Sequence, residues 1–178
     1  MASFSEEEFD YRRIDVWAIV AYGGLATVAQ HRRGNYLAWL RRHGYEVTSL
    51  DCTLGIIETV KSIERLLRWK EQFGYTLESR RLNLDALRDG FEFDVPEQGG
   101  VVLELVRPDI AWQDDPRWVI GLLSIAQEHC RFHLAFGRRF FTLLVLNEQS
   151  PLVGQVVEQS LVPSLFSGMS DTDDILRR

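Results

Sequence analysis

Two aspartates four residues apart are the first side chains in this sequence that could do chemistry. The stretch "RLNLDALRDG", residues 81–90, places Asp85 and Asp89 on one face of a short predicted helix. Like charges at this spacing cost a helix about 0.2–0.5 kcal/mol, and aspartate is a poor residue for a helix interior. Asn83 is placed to cap the helix, and Asp85 then lies in the first turn, where the helix dipole favours a carboxylate. Asp89 lies beyond that turn, so capping does not explain it.

Carboxylates continue on both sides of this helix. Residues 75–97 hold six acidic residues against three arginines, a charge of −3, which is half of the net charge of −6 of the whole chain. The acidic residues are Glu78, Asp85, Asp89, Glu92, Asp94 and Glu97, and the arginines are Arg80, Arg81 and Arg88. Such a run is typical of a solvated acidic face, and it is also what a surface that meets a basic cleft requires. The net charge argues against a nucleic-acid-binding protein and favours cationic partners.

Two histidines have the spacing of a zinc site but not its other ligands. In "HCRFH", His129 and His133 lie at i and i+4 of a predicted helix, yet no glutamate follows the first histidine, and Cys130 is the sole candidate for a third ligand. The apolar neighbours Phe132 and Leu134 favour a core or half-buried helix face. The pattern therefore predicts no metal and no cofactor.

The sequence also offers no assembled catalytic set. Gly99 and Gly100 precede a predicted strand instead of a helix, so they do not form a phosphate-binding loop. The serines of "LFSGMSD" lack the strand–turn–helix context of a nucleophile elbow. Since no nucleophile, base and orienting group can be combined, we expect a protein that is not an enzyme.

The elements that must position the aspartates follow an α/β order. Alternation at 45–50 and apolar runs at 100–106 and 140–146 predict strands, and helical spacing predicts helices over 35–43, 56–73 and 116–135. Two glycines at 23–24 separate two β-rich runs in residues 14–29, which predicts a hairpin. The expected fold is α/β, a three-stranded parallel sheet flanked by helices with an added N-terminal β-hairpin.

The motifs resemble those of the barstar family of ribonuclease inhibitors. The stretch "NLDALRDGF" is followed by "GVVLELV", an apolar helix and "FFTLLVL", in the family's order, and the resemblance covers roughly residues 45–146. The matching positions of the family's hallmark are Asn83, Leu84, Asp85, Ala86, Leu87 and Asp89. Upstream, "YLAWLRRHGYEVTSLDC" is similar to the N-terminal extension of larger bacterial barstar-like proteins.

The resemblance implies an immunity or antitoxin protein that occludes the active site of a basic toxin, a ribonuclease, with the acidic helix. The partner-binding residues that it implies are Asp85, Asp89, Tyr75, Arg88, Glu92 and Asp94. Three features depart from the family pattern. Arg88 stands where an aromatic residue is frequent, and "ESRRL" replaces the Tyr-Gly that precedes the asparagine, which leaves Tyr75 as the nearby tyrosine. Residues 131–133, "RFH", lack the acid expected on the last helix. Glu128 lies about one turn too early for that role. The alternative is a barstar-fold interaction module whose partner is no nuclease.

The chain divides into three expected parts. Residues 1–44 form an N-terminal extension packed on the main domain, 45–146 the barstar-like domain, and 147–178 a C-terminal extension whose end is expected to fray. Cys52 and Cys130 are expected to be buried thiols. The acidic N-terminal stretch is unlike a signal peptide, and no apolar run is long enough to span a membrane, so we expect a cytoplasmic protein.

Overall fold

Four parallel strands form the central sheet of the structure, a computed structural model that describes residues 4–6, 8–10, 12–77 and 83–166. The strands are β1 (Leu25–Ala29), β2 (Tyr45–Asp51), β3 (Gly100–Val106) and β4 (Phe140–Leu146), and their spatial order is β1-β4-β3-β2. All three pairings are parallel. The inner strands β3 and β4 are buried along almost their whole length, as expected for strands that are covered on both faces.

Helices flank this sheet, and most lie where helical spacing predicts them. They are α2 (Arg33–Arg42), α3 (Ile56–Leu66), α4 (Trp69–Phe73), α5 (Leu84–Gly90), α6 (Pro108–Asp114) and α7 (Pro116–Ala135). The long helix α7 packs against β4, and α2 and α3 pack against β2. The α/β class and the three predicted parallel strands are confirmed.

The predicted N-terminal hairpin is wrong. Its first half is helical, with α1 (Ile14–Val16) continuing into a π-helical turn (Trp17–Ala21), and its second half is β1, which pairs in parallel with β4. The glycines do make a turn, since Gly23 and Gly24 have positive φ values, but that turn ends a helix: the backbone N–H of Gly24 donates to the Ala18 carbonyl at 2.8 Å. A short apolar run is compatible with a buried helix as well as a strand.

The predicted helix over 56–73 is interrupted. Arg68 takes a left-handed conformation, φ 50° and ψ 40°, so α3 ends at Leu66 and α4 begins again at Trp69. This change of direction buries Trp69 beside the segment that contains α5.

The segment after β4 returns to the sheet. Residues 156–157 and 160–161 form a small antiparallel hairpin, β5 (Val156–Val157) and β6 (Ser160–Leu161). Beyond it, the backbone N–H of Phe166 donates to the Thr27 carbonyl at 2.8 Å, and the Thr27 hydroxyl donates to the Ser164 carbonyl at 2.7 Å. These bonds cover the outer edge of β1, which protects an edge strand from pairing with another chain.

The expected buried thiols are present, since Cys52 and Cys130 are both free and buried. The frayed end expected within 147–178 falls partly on residues 167–178, which lie outside the described residues.

Candidate functional site

The acidic helix α5 begins at its predicted cap. The Asn83 side-chain oxygen accepts hydrogen bonds from the backbone N–H groups of Asp85 at 3.0 Å and Ala86 at 3.2 Å. These bonds satisfy two of the donors that a helix N-terminus leaves without partners. A helix of seven residues is too short to be stable by itself, so α5 depends on packing for the rest of its stability.

Two glycines let α5 pack closely on its neighbours. A Cβ atom at Gly121 of α7 would lie 2.3 Å from Cδ1 of Leu84, and one at Gly90 would lie 2.4 Å from the Trp69 ring. Between these contacts, Leu87 is buried in the core. The helix is therefore fixed at both ends and in its middle, with its acidic face toward solvent.

The exposed face carries the carboxylates that the sequence singled out. Asp85, Asp89, Glu92 and Asp94 are all exposed, and the Asp85 side chain is 92% accessible. Among the described residues, no hydrogen bond or ion pair engages the carboxylates of Asp89, Glu92 or Asp94. These three carboxylates are therefore available to a partner. Glu78, the acid that precedes them in sequence, lies outside the described residues.

Arg88 connects this face to the long helix. Its Nε donates to Oε2 of Glu128 at 2.8 Å, and its NH1 lies 3.8 Å from Oδ1 of Asp85. Glu128 therefore belongs to the same surface as α5. By the resemblance to the barstar family, it lies about one turn before the position where the acid of the last helix is expected. A stripe at helical spacing, Gly121, Ile125 and Glu128, is the sequence signal that could have found it.

Tyr75 adjoins the other end of α5. It is half-buried, with its ring centroid 6.0 Å from that of Trp69 and 6.2 Å from that of Phe73. Trp69 is also the ring on which Gly90 packs. The structure thus connects Tyr75 to the acidic helix through one shared aromatic contact.

A groove of about 450 Å³ runs between the α5 segment and the C-terminal half of α7. Asp89 and Glu92 line one side, and Glu128 and Phe132 line the other. Phe132 is 57% exposed, which is unusual for a phenylalanine. Sequence reasoning missed this groove because its two sides come from segments about 40 residues apart.

The two histidines of α7 lie at the inner side of this groove, in an aromatic cluster. The rings of His129 and His133 are 5.0 Å apart, and His129 also meets the rings of Phe91 and Phe140. Burial lowers the pKa of His129 to about 4, with the positive charge of a protonated His133 as a second cause, and burial also lowers the pKa of His133. Both imidazoles are neutral near pH 7. The described residues contain no cluster of three or more potential metal ligands.

A second hollow, polar and of about 530 Å³, lies where β3 and β4 end. Arg107, in a left-handed conformation at φ 58°, donates from NH2 to Oδ2 of the buried Asp109 at 2.9 Å. Because these two charges neutralise each other, the α5 surface is the stronger candidate for binding.

Comparisons with known proteins add no relative to this description. A scan against protein-family models, a search of curated proteins and a search of solved structures each found no match to the chain. Within the described ranges, no helix is long and apolar enough to cross a membrane. The geometry of the α5 surface is therefore what bears on function.

Proposed function

We propose that this protein is an inhibitor that binds a basic protein and occludes its active site with the acidic face of α5. The observation that carries the proposal is the set of exposed carboxylates of Asp89, Glu92 and Asp94, which have no partner among the described residues. The barstar-like motif of residues 83–89 names the target class, a ribonuclease, whose cleft is built to bind phosphates. In the complex, the carboxylates take positions where substrate phosphates would lie.

The packing of α5 suits this role. The cap at Asn83 and the close contacts of Leu84 and Gly90 hold the helix in one orientation before binding. A preorganised surface loses little conformational freedom on association, so more of the interaction energy appears as affinity. The repulsion between Asp85 and Asp89 costs stability in the free protein, and cationic groups of the target relieve it in the complex.

The proposal is tested by inhibition of RNA hydrolysis. The full chain is titrated into the ribonuclease encoded next to its own gene, or into small basic ribonucleases if that neighbour is no nuclease, with a fluorogenic RNA substrate. We expect stoichiometric inhibition, and Asp89→Ala weakens it by about 30-fold or more, because truncating one partner of a desolvated charge pair costs about 2–5 kcal/mol.

Glu97→Ala is the matched control, because Glu97 is an exposed acid of the same segment that does not line the groove. It should change inhibition by less than about fivefold, as expected for an exposed pair. Inhibition that Asp89→Ala leaves intact would remove α5 from the interface, and the absence of inhibition would remove the ribonuclease as the target.

One observation favours the alternative of an interaction module with a non-nuclease partner. Arg88 lies in the middle of the acidic face and pairs with Glu128, whereas a surface that imitates RNA phosphates would be acidic throughout. A partner that binds with an Asp89-dependent affinity, without loss of RNA hydrolysis, would support this alternative.

A further inference from the structure

We propose that the groove between α5 and α7 binds a guanidinium group, the end of an arginine side chain on the partner, with Phe132 as its stacking surface and Asp89 as its carboxylate acceptor. This inference rests on the proposed function, since it specifies the chemistry of the basic partner at the same surface. It also adds to that surface a residue of α7, Phe132, to which the acidic motif does not point.

The exposed ring of Phe132 is the first observation. Its side chain is 57% exposed and lines the groove, while its ring is supported by Phe136, 5.1 Å away, and by His133, 5.3 Å away. A ring held in place on one side and open on the other offers a flat face. A planar, weakly hydrated guanidinium stacks on such a face, and a compact, strongly hydrated ammonium does so less well.

The carboxylates of the groove are the second observation. Asp89 and Glu92 have no partner among the described residues, whereas Glu128 accepts from Arg88 at 2.8 Å. A groove lined by a free carboxylate and an aromatic face suits arginine, because the guanidinium fork can donate two parallel hydrogen bonds to a carboxylate while its plane lies on a ring.

The histidines at the inner side of the groove are the third observation. His133 is 5% exposed, and neither of its ring nitrogens has a hydrogen-bonding partner among the described residues; the same holds for Nε2 of His129. Each neutral imidazole therefore keeps one acceptor nitrogen without a donor beside the aromatic wall of the groove. The neutral rings also add no positive charge, so they do not repel a cationic ligand.

The remaining cations of the groove set where the guanidinium lies. Arg88 is engaged by Glu128, and Arg138 lies on the His133 side, where its charge lowers the pKa of that histidine as a second cause after burial. We therefore place the guanidinium between Asp89 on the α5 side of the groove and Phe132 on the α7 side, and not beside His133 and Arg138.

The experiment measures the preference of the full chain for arginine over lysine without any ribonuclease. Hexa-arginine and hexa-lysine peptides are titrated into the protein by calorimetry at low salt near pH 7. We expect hexa-arginine to bind about fivefold or more tightly than hexa-lysine, because stacking on Phe132 is added to the shared charge attraction. Phe132→Ala should reduce this ratio to less than about twofold, and Asp89→Asn should weaken the binding of both peptides.

Leu54→Ala is the matched control. Leu54 is also an exposed apolar residue, 76% accessible, but it precedes α3 and does not line the groove, so this variant should keep the preference for arginine. Equal binding of the two peptides, an unchanged ratio in Phe132→Ala, or no binding of either peptide would each overturn the inference.

These outcomes are separable from those of the proposed function. A preference for arginine that depends on Phe132, without inhibition of any ribonuclease, supports the groove and rejects the target class. Inhibition that depends on Asp89 while Phe132→Ala keeps the peptide ratio unchanged supports the target class and rejects the groove.

Discussion

Asn83 and Asp89 lie six residues apart, but the fold uses the side chain of Asn83 and leaves that of Asp89 unbonded. The Asn83 side chain is engaged by two backbone N–H groups of α5, while the Asp89 carboxylate has no partner among the described residues. One side chain therefore contributes to the stability of the helix, and the other is free to act on a partner. Their substitutions should separate stability from binding.

The first prediction concerns this separation. Asn83→Ala should lower the free energy of unfolding by about 0.5–2 kcal/mol, because two N–H groups of α5 lose their acceptor, with little change in partner affinity while the protein is folded. Asp89→Ala should leave the melting temperature unchanged or slightly raised. Denaturant unfolding measures both, with Asn83→Ser as the control that retains a capping oxygen. A large loss of stability in Asp89→Ala would show that this residue is structural.

The second prediction concerns His129. In the unfolded chain its pKa is near 6.5, whereas burial in the aromatic cluster lowers it to about 4, so the unfolded state binds the proton more readily. The stabilising contribution is fully present above about pH 6.5 and is lost as the pH falls toward 4. His129→Phe, which suits the surrounding rings, should lose less stability between pH 7 and pH 5 than the wild type. Parallel pH profiles of unfolding for the two proteins would contradict this expectation.

The ion pair between Glu8 of the N-terminal segment and Arg139 is lost in a different pH range. A hydrogen bond from Arg139 is the main cause that lowers the pKa of Glu8 to about 2. Its contribution is present above about pH 4.5 and lost only below that value. The loss between pH 7 and pH 5 therefore reports on the histidines and not on this ion pair.

At the scale of elements, β3 carries a buried charge in the middle of the sheet. Glu104 is fully buried and accepts from Arg33 of α2 through both carboxylate oxygens, at 2.7 Å each, and from the Ser49 hydroxyl. The pair joins α2 to the central strand. The Arg33 side chain is 36% exposed, whereas Glu104 is fully buried, so removing the arginine leaves a buried carboxylate without compensation.

The third prediction follows from this ion pair. Arg33→Met should lower the free energy of unfolding by about 3–5 kcal/mol, and the double variant Arg33→Met/Glu104→Met should recover most of that loss, because two apolar side chains replace the pair. Arg41→Met, at an exposed position of the same helix, should change stability by less than about 0.5 kcal/mol. Thermal and denaturant unfolding of the four proteins measure these differences, and a double variant no more stable than Arg33→Met would contradict the explanation.

The elements that depend on local patterns were predictable from the sequence. Strands β3 and β4 are apolar runs bounded by glycine, proline or polar residues, α7 starts at Pro116, and the cap at Asn83 precedes its helix as expected. The hairpin was not predictable in the same way, because the partner of β1 is β4, more than 100 residues away in sequence. The break at Arg68 was also not predictable, since arginine is a good helix former and rarely takes a left-handed backbone.

The candidate site was also predictable only where it depends on local sequence patterns. Asp85 and Asp89 were found because their spacing of four residues is a local helical signal. The groove was not, because it requires Glu128 and Phe132 of α7 to lie beside α5, a tertiary contact. Local spacing identifies which residues share a face, but not which two faces meet.

At the scale of the whole molecule, both ends of the described chain are tied to the sheet. Arg139, just before β4, donates to both carboxylate oxygens of Glu8, at 3.0 and 2.7 Å, and Phe166 closes the edge of β1. The Tyr36 hydroxyl of α2 also donates to the Phe166 carbonyl at 3.2 Å. Segments outside the expected barstar-like domain of residues 45–146 therefore share its sheet, and α5 projects from a scaffold that includes them.

The net charge of the whole molecule also affects association, through its long-range electrostatic field. The chain carries a net charge of −6, and the carboxylates of the α5 face concentrate part of it where the proposed partner binds. A negative surface of this kind accelerates encounter with a basic protein, and dissolved salt weakens the effect because the screening length falls from about 10 Å at 0.1 M to about 3 Å at 1 M.

The fourth prediction is a salt dependence that differs between three carboxylates. By surface plasmon resonance with the partner ribonuclease, the association rate constant should fall at least tenfold as salt rises from about 50 to about 500 mM. Asp89→Ala should weaken equilibrium binding by about 2–5 kcal/mol even at high salt, since a desolvated pair is screened little.

Asp85→Ala should have a smaller effect, because Asp85 lies in the first turn of α5 and within 3.8 Å of Arg88. Glu97→Ala should alter the association rate at low salt and little else. If Asp85→Ala and Asp89→Ala each bind within about threefold of the wild type, each carboxylate contributes no more to the affinity than an exposed ion pair does. The acidic helix would then be an ordinary solvated face.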